Sequence, residues 1–367
     1  MGYVDPILRD QTRNGLVDVI YPVAEEQEVL ENRLSLVQLS QNIRMNSQSG
    51  IVEHMNKGGE LLLHIDPERV PVWAAALRAT LTEMPIRIWP DRGDPDQIRY
   101  ALLWKPPPEL FDGLHNLQVI FSVGAGIDHL LSCTTLPAHV PVVRMVEPVL
   151  TAGMVEYVIY NVIRFHRRMH EYDVQQRQAQ WQVLPQVTAG EVTIGIMGLG
   201  VLGEAAAALL TRLNYRVTGW SRSRKSVPGV RSYVGESELL KFLNDVQILV
   251  MLLPLDETTQ HILNKGTLAQ LPRGASIINA SRGGCISEND LLNALDTRHI
   301  RGVALDVFET EPLPEAHLFW RHPNVPITPH AASLTNPVSA VQFVAENIRR
   351  HQNGKLLKHI VAPSNRR

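Results

Sequence analysis

Three polar side chains in the second half of the chain, Arg282, Glu311 and His330, are of types that can hold an anion and move a proton. A guanidinium grips a carboxylate through parallel N–H bonds. An imidazole titrates near neutrality, and a carboxylate beside it can orient the ring and favour its charged form. Arg282 lies in Asn279-Ala280-Ser281-Arg282-Gly283, Glu311 between Asp306 and Pro312, and His330 in Thr328-Pro329-His330-Ala331-Ala332. Each follows an apolar run that reads as a strand, and in an open α/β sheet ligands bind beyond the carboxyl ends of the strands. Taken singly each has a plainer reading: Arg282 as an ion-pair partner, Glu311 as a loop residue before Pro312, His330 as a capping or core histidine. What favours chemistry is their ordered spacing behind a glycine turn.

That turn reads Met197-Gly198-Leu199-Gly200-Val201-Leu202-Gly203, with an apolar strand before it and an alanine-rich helix after it. Gly198 permits the tight turn, Gly200 lets backbone approach a pyrophosphate, and Gly203 lets helix pack closely on strand. The helix start offers N–H groups and partial positive charge to phosphates. A bare glycine triplet is weak, but strand, turn and helix in this order are what a dinucleotide site requires. An NAD site usually ends its second strand in Asp or Glu, for the ribose 2′-hydroxyl. Here Ser221, Arg222, Ser223, Arg224 and Lys225 stand at that place. Three cations and two hydroxyls suit a 2′-phosphate, so NADPH is the expected cofactor. A solvated basic loop is the plain alternative. A methyl-donor site on the same glycines leaves Arg222 to Lys225 unexplained.

The elements that must position these groups form a regular alternation. Strands are expected at 61–65, 86–89, 101–104, 119–122 and 142–145, with a helix at 72–81, and these make a first α/β unit over about 60–150. A second unit has strands expected at 192–197, 216–220, 248–252, 276–279, 303–307 and 326–328, with helices clearest at 204–213 and 288–295. Short apolar runs alternating with helices imply parallel sheets covered on both faces. One long helix is expected from Ala152 to about Gln180, apolar first and polar later, linking the units or meeting a partner subunit. A last helix at 337–352 is expected to return to the first unit. The fold class is therefore α/β, with two doubly wound parallel-sheet domains, flavodoxin-like and Rossmann, and a cleft between them. Residues 59–150 and 331–367 make the substrate domain and 151–330 the dinucleotide domain, after an extension at 1–58.

These motifs closely resemble the D-2-hydroxyacid dehydrogenase family, from about Leu61 to Gln352 and most strongly from Gly195 to His330. Within it the likeness is to the bacterial NADPH-dependent glyoxylate/hydroxypyruvate reductases of the A type. It is carried by Trp104 and the prolines after it, the run from Val123 to Asp128, Trp220-Ser221-Arg222 with Arg224-Lys225, Pro228-Gly229, and the stretch from Arg298 to Pro314. The resemblance implies that Arg282 clamps a substrate carboxylate and polarises its keto oxygen. It implies that His330 is the general acid, oriented by Glu311. Val123, Gly124, Ala125 and Gly126 would turn backbone N–H groups to the carboxylate. Asp306 would hold the nicotinamide carboxamide, Leu253, Pro254 and Ala280 would lie along the cofactor, and Trp104 would wall the pocket. The substrates implied are glyoxylate and hydroxypyruvate, giving glycolate and D-glycerate, and the assembly implied is a homodimer.

Two features depart from the family. The extension has no counterpart, and reads as a tail, an added subdomain, or sequence upstream of initiation at Met45 or Met55. Its acidic residues between Glu25 and Glu31 argue against an organelle transit peptide. The chain also ends soon after the last helix, so the regulatory domain of many phosphoglycerate dehydrogenases, and control by serine, are not expected.

Bulk properties narrow the partners. With 35 basic against 37 acidic residues the net charge is −2, no footprint for nucleic acid or an anionic membrane. No apolar run approaches the roughly 20 residues of a membrane helix. Residues 1–10 do not read as a secretory signal, and Pro6 argues against myristoylation. Cys133 and Cys285 form no CxxC pair, so no disulfide framework is read and a reducing cytoplasm is the expected setting. No metal site is expected: His166 and His170 have helical spacing but only Arg167, Arg168 and Met169 between them, which reads as a solvated helix face. Cys285 has no activating base and reads as packing. Two other functions stay open: a reductase of another keto acid such as phenylpyruvate, and a dinucleotide-sensing, corepressor-like binding protein.

Overall fold

The computed structural model describes residues 59–361, so the readings of residues 1–58 lie outside the described residues. The described chain opens with β1 (Glu60–His64), α1 (Val70–Thr80), β2 (Ile86–Ile88), β3 (Ile98–Leu103), β4 (Val119–Ser122), α2 (Asp128–Leu131) and β5 (Val142–Val143). These strands pair in parallel in the order β2-β1-β3-β4-β5. Leu61, Leu62 and Leu63 are fully buried, because a strand covered by helices on both faces meets no water on either.

Next come α3 (Pro148–His166) and α4 (Met169–Arg177). The single helix expected here is two. The chain leaves the helical region at Arg168, which takes φ +59°, and α4 starts anew after it. Nor do the two histidines lie on a solvated face. His166 Nδ1 is 2.8 Å from the Tyr215 hydroxyl and its Nε2 2.8 Å from the Val187 carbonyl. His170 is 2% exposed, edge-on to Phe165 at 5.1 Å, and burial pushes its pKa down to about 4. After the break His170 packs inward on Phe165, which spacing along one continuous helix did not reveal.

The second lobe follows as β6 (Thr193–Met197), α5 (Val201–Arg212), β7 (Arg216–Ser221), β8 (Val230–Val234), α6 (Gly235–Leu243), β9 (Ile248–Met251), α7 (Lys265–Leu268), β10 (Ala275–Asn279), α8 (Glu288–Asp296) and β11 (Ile300–Leu305). Its parallel sheet has the order β11-β10-β9-β6-β7-β8, which is the doubly wound dinucleotide-binding order read from its other edge. β8 escaped the sequence reading because it is an edge strand: of Val230–Val234 only Tyr233 is buried. The strand expected at 326–328 reduces to one bridge, Ile327 beside Leu305. Pro326 and Pro329 lack the N–H that a ladder needs.

The last helix, α9 (Pro337–Gln352), packs on α1. Its Val341, Val344 and Ile348 join Leu61, Trp73 and Leu77 in one core. Burying a side chain of this kind contributes roughly 1.5–3 kcal/mol. α3 spans both lobes: Leu150 sits in the first lobe's core, and Val158, Val162 and Phe165 in the second's. Among the described residues no helix is long and apolar enough to cross a membrane.

Candidate active site

The glycine turn sits where the second sheet reverses its winding, between β6 and β9. Gly198 takes φ +103°, and a Cβ there would stand 2.5 Å from the Leu252 carbonyl oxygen. A Cβ on Gly203 would stand 2.0 Å from the carbonyl oxygen of Gly198, so the start of α5 can lie against the turn only as glycine. Around Gly200 a Cβ would meet nothing within 4 Å. That open space, facing the unsatisfied first-turn N–H groups of α5, fits a pyrophosphate. Leu199 and Leu253 are buried in the core, so only their backbone is left for a ligand, and Ala280 is 9% exposed. Val201 and Leu202 are half-buried and Pro254 is exposed.

The basic run leaves the end of β7. Ser221 Oγ donates to the Ser223 carbonyl at 2.8 Å and fixes the bend. Arg222 and Ser223 are exposed. Arg224 reaches Glu238 at 3.1 Å, and Lys225 lies 3.6 Å from Glu204. The sequence has no carboxylate in the run itself, but the fold brings these two to it. Both ion pairs are solvent-exposed and so are weakly held. A doubly charged phosphate can draw the two cations away.

Arg282, Glu311 and His330 come together with Trp104 in one cleft of about 520 Å³. His330 Nδ1 is 2.8 Å from Glu311 Oε2, and Glu311 Oε1 accepts from the Phe308 N–H at 3.1 Å. Burial raises the Glu311 carboxyl, but His330 and the Phe308 N–H outweigh it and hold it below its ordinary value. His330 itself has φ +54°, a left-handed backbone that its neighbours enforce. The enforcing group is Asp306, 2% exposed. Its carbonyl accepts from the His330 N–H at 2.8 Å, and its Oδ1 accepts from Thr328 Oγ1 at 2.6 Å, Ala331 N–H at 2.7 Å and Ala332 N–H at 3.0 Å. Asp306 therefore pins the loop that carries the imidazole, a task the sequence did not suggest. Cys285, 0% exposed, packs beneath, and burial pushes its thiol up.

The first lobe supplies the opposite wall from its own reversal point, between β1 and β3. Trp104 N–H donates to the His64 carbonyl at 2.8 Å, and the Trp104 ring lies 4.1 Å from the His129 ring. Burial pushes the His129 pKa down to about 4, so this histidine is a neutral backing for the tryptophan. The loop after β4 curls around Ser122 Oγ, which lies 2.8 Å from the Gly124 carbonyl and 3.0 Å from that of Gly126. Four N–H groups were expected to face a carboxylate, and two are already used. Val123 donates to the Leu103 carbonyl at 3.1 Å and Gly124 to Ser122 Oγ at 3.2 Å. The amides of Ala125 and Gly126 have no acceptor among the described residues. Beside them Arg282 Nε donates to Asp128 Oδ1 at 2.9 Å. Sequence reasoning gave no role to Asp128, Lys105 or His129, which also line the cleft. Only the place of Asp128, at the first helical residue after the glycine loop, could have marked it.

Comparison with known proteins gives a consistent picture. The family model described as "D-isomer specific 2-hydroxyacid dehydrogenase, NAD binding domain" matches residues 159–332. Glyoxylate/hydroxypyruvate reductase A of Serratia proteamaculans is 42% identical over 281 residues, 75% of this chain and 90% of that protein. Its namesake from Salmonella heidelberg is 41% identical over 288 residues, 77% of this chain and 92% of that protein. A D-isomer specific 2-hydroxyacid dehydrogenase of Xanthobacter autotrophicus Py2, solved with NADPH and MES, superposes with TM-score 0.81 at 38% identity, covering 84% of this chain and 100% of that one. An NADPH-dependent glyoxylate/hydroxypyruvate reductase of Sinorhizobium meliloti, solved with NADP and sulfate, gives 0.78 at 37% identity, covering 85% and 100%.

Proposed function

The chain belongs to the D-isomer specific 2-hydroxyacid dehydrogenase family, and on that premise we propose that it is an NADPH-dependent reductase of small 2-keto acids, with glyoxylate and hydroxypyruvate as substrates. The observation that carries the reading is the meeting of Arg282 with the His330–Glu311 pair in one cleft.

In this reading the glycine turn and the start of α5 hold the pyrophosphate, and residues 221–225 take the 2′-phosphate. NADPH, when bound, supplies the hydride. Arg282 and the free amides of Ala125 and Gly126 hold the substrate carboxylate, and the guanidinium also polarises the keto oxygen. His330, held through Nδ1 by Glu311, gives a proton from Nε2 to that oxygen as it becomes a hydroxyl. Trp104 limits the size of the substituent on the keto carbon. The larger lobe assignment follows: residues 59–150 with the last helix recognise the acid, and 151–330 hold the cofactor. We also assign a homodimer, through the face of α3 where Val149, Tyr160 and Ile163 stand exposed beside Leu209 and Leu334. A reducing cytoplasm suits the two free, buried cysteines.

The test is NADPH oxidation over a panel of 2-keto acids, repeated with NADH. Turnover of glyoxylate and hydroxypyruvate with NADPH preferred is expected. Tight NADPH binding without turnover of any keto acid would reject the reductase in favour of a sensor. Light scattering on the full chain checks the dimer, and a monomer at assay concentration removes it.

A further inference from the structure

We propose that Asp128 is a positioning residue for the reduction: its carboxylate, offered from the first lobe, sets the guanidinium of Arg282 for the carboxylate of a 2-keto acid. The inference rests on the reading of Arg282 as the substrate clamp.

Arg282 stands at the end of β10 in the second lobe, and Asp128 begins α2 in the first. Asp128 Oδ1 accepts from Nε at 2.9 Å and lies 2.8 Å from Nη2 as its ion-pair partner. Nη1 donates to the Ser281 carbonyl at 2.6 Å. Two of the five N–H donors of a guanidinium are thereby used in hydrogen bonds, and three remain for a ligand. A long arginine side chain samples many rotamers when untethered, and these bonds reduce it to one plane.

The surroundings are shaped to the same end. A Cβ on Gly126 would stand 1.8 Å from Arg282 Nη2, so the loop that carries the two free amides must be glycine where the guanidinium passes. The same loop runs straight into Asp128, so the amides and the carboxylate that aims the clamp move as one piece. Arg282 keeps 19% of its side-chain surface exposed and Asp128 37%, which leaves the pair less screened than a surface one. Burial raises the Asp128 carboxyl, yet the bonds and charge of Arg282 hold it below its ordinary range, so it stays a carboxylate throughout the working pH range. Among the described residues the side-chain donor to the Asp128 carboxylate is Arg282, on Oδ1. The tie is therefore a single oxygen on one edge of the guanidinium, which aims the clamp without filling it.

A double-mutant cycle on kcat/KM tests this in the full chain, with glyoxylate as the probe. Asp128→Asn keeps the shape and one acceptor oxygen but loses the charge. It is expected to lower kcat/KM for glyoxylate by about 10- to 100-fold, the scale on which a displaced positioning group acts. NADPH affinity, read by fluorescence titration, is expected to stay within about twofold, because Asp128 lies on the lobe away from the glycine turn. In an Arg282→Lys background the same change is expected to cost less than about threefold, since the group it positions is gone. Asp128→Ser, which suits a helix start, replaces the amide variant where that does not fold. A loss of equal size in both backgrounds, a parallel loss of NADPH affinity, or near-normal kcat/KM in Asp128→Asn each overturns the proposal. Absence of keto-acid turnover in the unmodified chain removes instead the reductase reading on which it stands.

Discussion

In the second lobe the three groups proposed for chemistry stand in the loops after two neighbouring strands and on a third segment bridged to the last, and a buried carboxylate, Asp306, ties one of those loops down. The first lobe presents a different set of groups to the cleft. Its histidine there, His129, is buried and neutral, its tryptophan is a wall, and its glycine loop offers two amides. The difference separates chemistry from recognition. In the proposed reading, proton and hydride are handled on the second lobe, which also carries the Arg282 clamp, while the first lobe adds shape and backbone amides to the reading of the acid. The Asp128–Arg282 pair links the two functions directly.

The sharpest way to break this division is at His330. Because His330 holds φ +54°, Asn is the fitting replacement, being tolerant of that backbone. His330→Asn is expected to lower kcat by about 10²- to 10⁴-fold, the usual worth of general acid catalysis, with NADPH affinity unchanged. Near-normal turnover in stopped-flow reduction would place the acid elsewhere. Next in size, replacing Arg222 and Arg224 together by Ser is expected to raise KM for NADPH by about 10- to 100-fold, from two lost charge-assisted bonds. KM for NADH should hardly move, and an equal rise for both cofactors would move the phosphate site off this run.

Glu311→Gln is expected to lower kcat by about tenfold, through an imidazole no longer oriented or favoured in its charged form. The pH profile sharpens the point. The Glu311 carboxyl lies below its ordinary value of 4.5, so its bond to His330 persists as pH falls through that value and is lost only at the lower, folded one. The acid limb of kcat in the unmodified enzyme should therefore extend below pH 4.5, and a limb that begins above it would show that another group controls the rate. The smallest effect belongs to the recognising lobe. Trp104→Leu is expected to change the ratio of kcat/KM between a bulky keto acid and glyoxylate by about threefold to tenfold, in favour of the bulky one. A fall in turnover alike for all substrates would give Trp104 a part in the chemistry after all.

Much of this was legible in the sequence because the second lobe writes its site in local signals. Gly198, Gly200 and Gly203 are visible as a turn between a strand and a helix, and the strand order that emerges is the one such a turn belongs to. Arg282, Glu311 and His330 stand out as polar residues just past apolar runs. The long helix failed as a reading because one residue, Arg168, leaves the helical region where the flanking sequence still favours a helix. β8 failed because an edge strand needs only one buried side chain to hold it, too few to make a pattern.

The sequence by itself determined the class of fold, the place of the glycine turn, the basic run that follows it and the three polar groups behind it, since each depends on neighbours within a few residues. Tertiary structure decided which of those groups touch. It put Asp128 on Arg282, 154 positions apart in the chain, and Glu238 on Arg224. It used two of the four amides in the loop after β4 and left two free, and it made Asp306 the pin of the His330 loop. Hydrogen bonds between distant segments form only once burial has brought them together, so no local pattern can announce them.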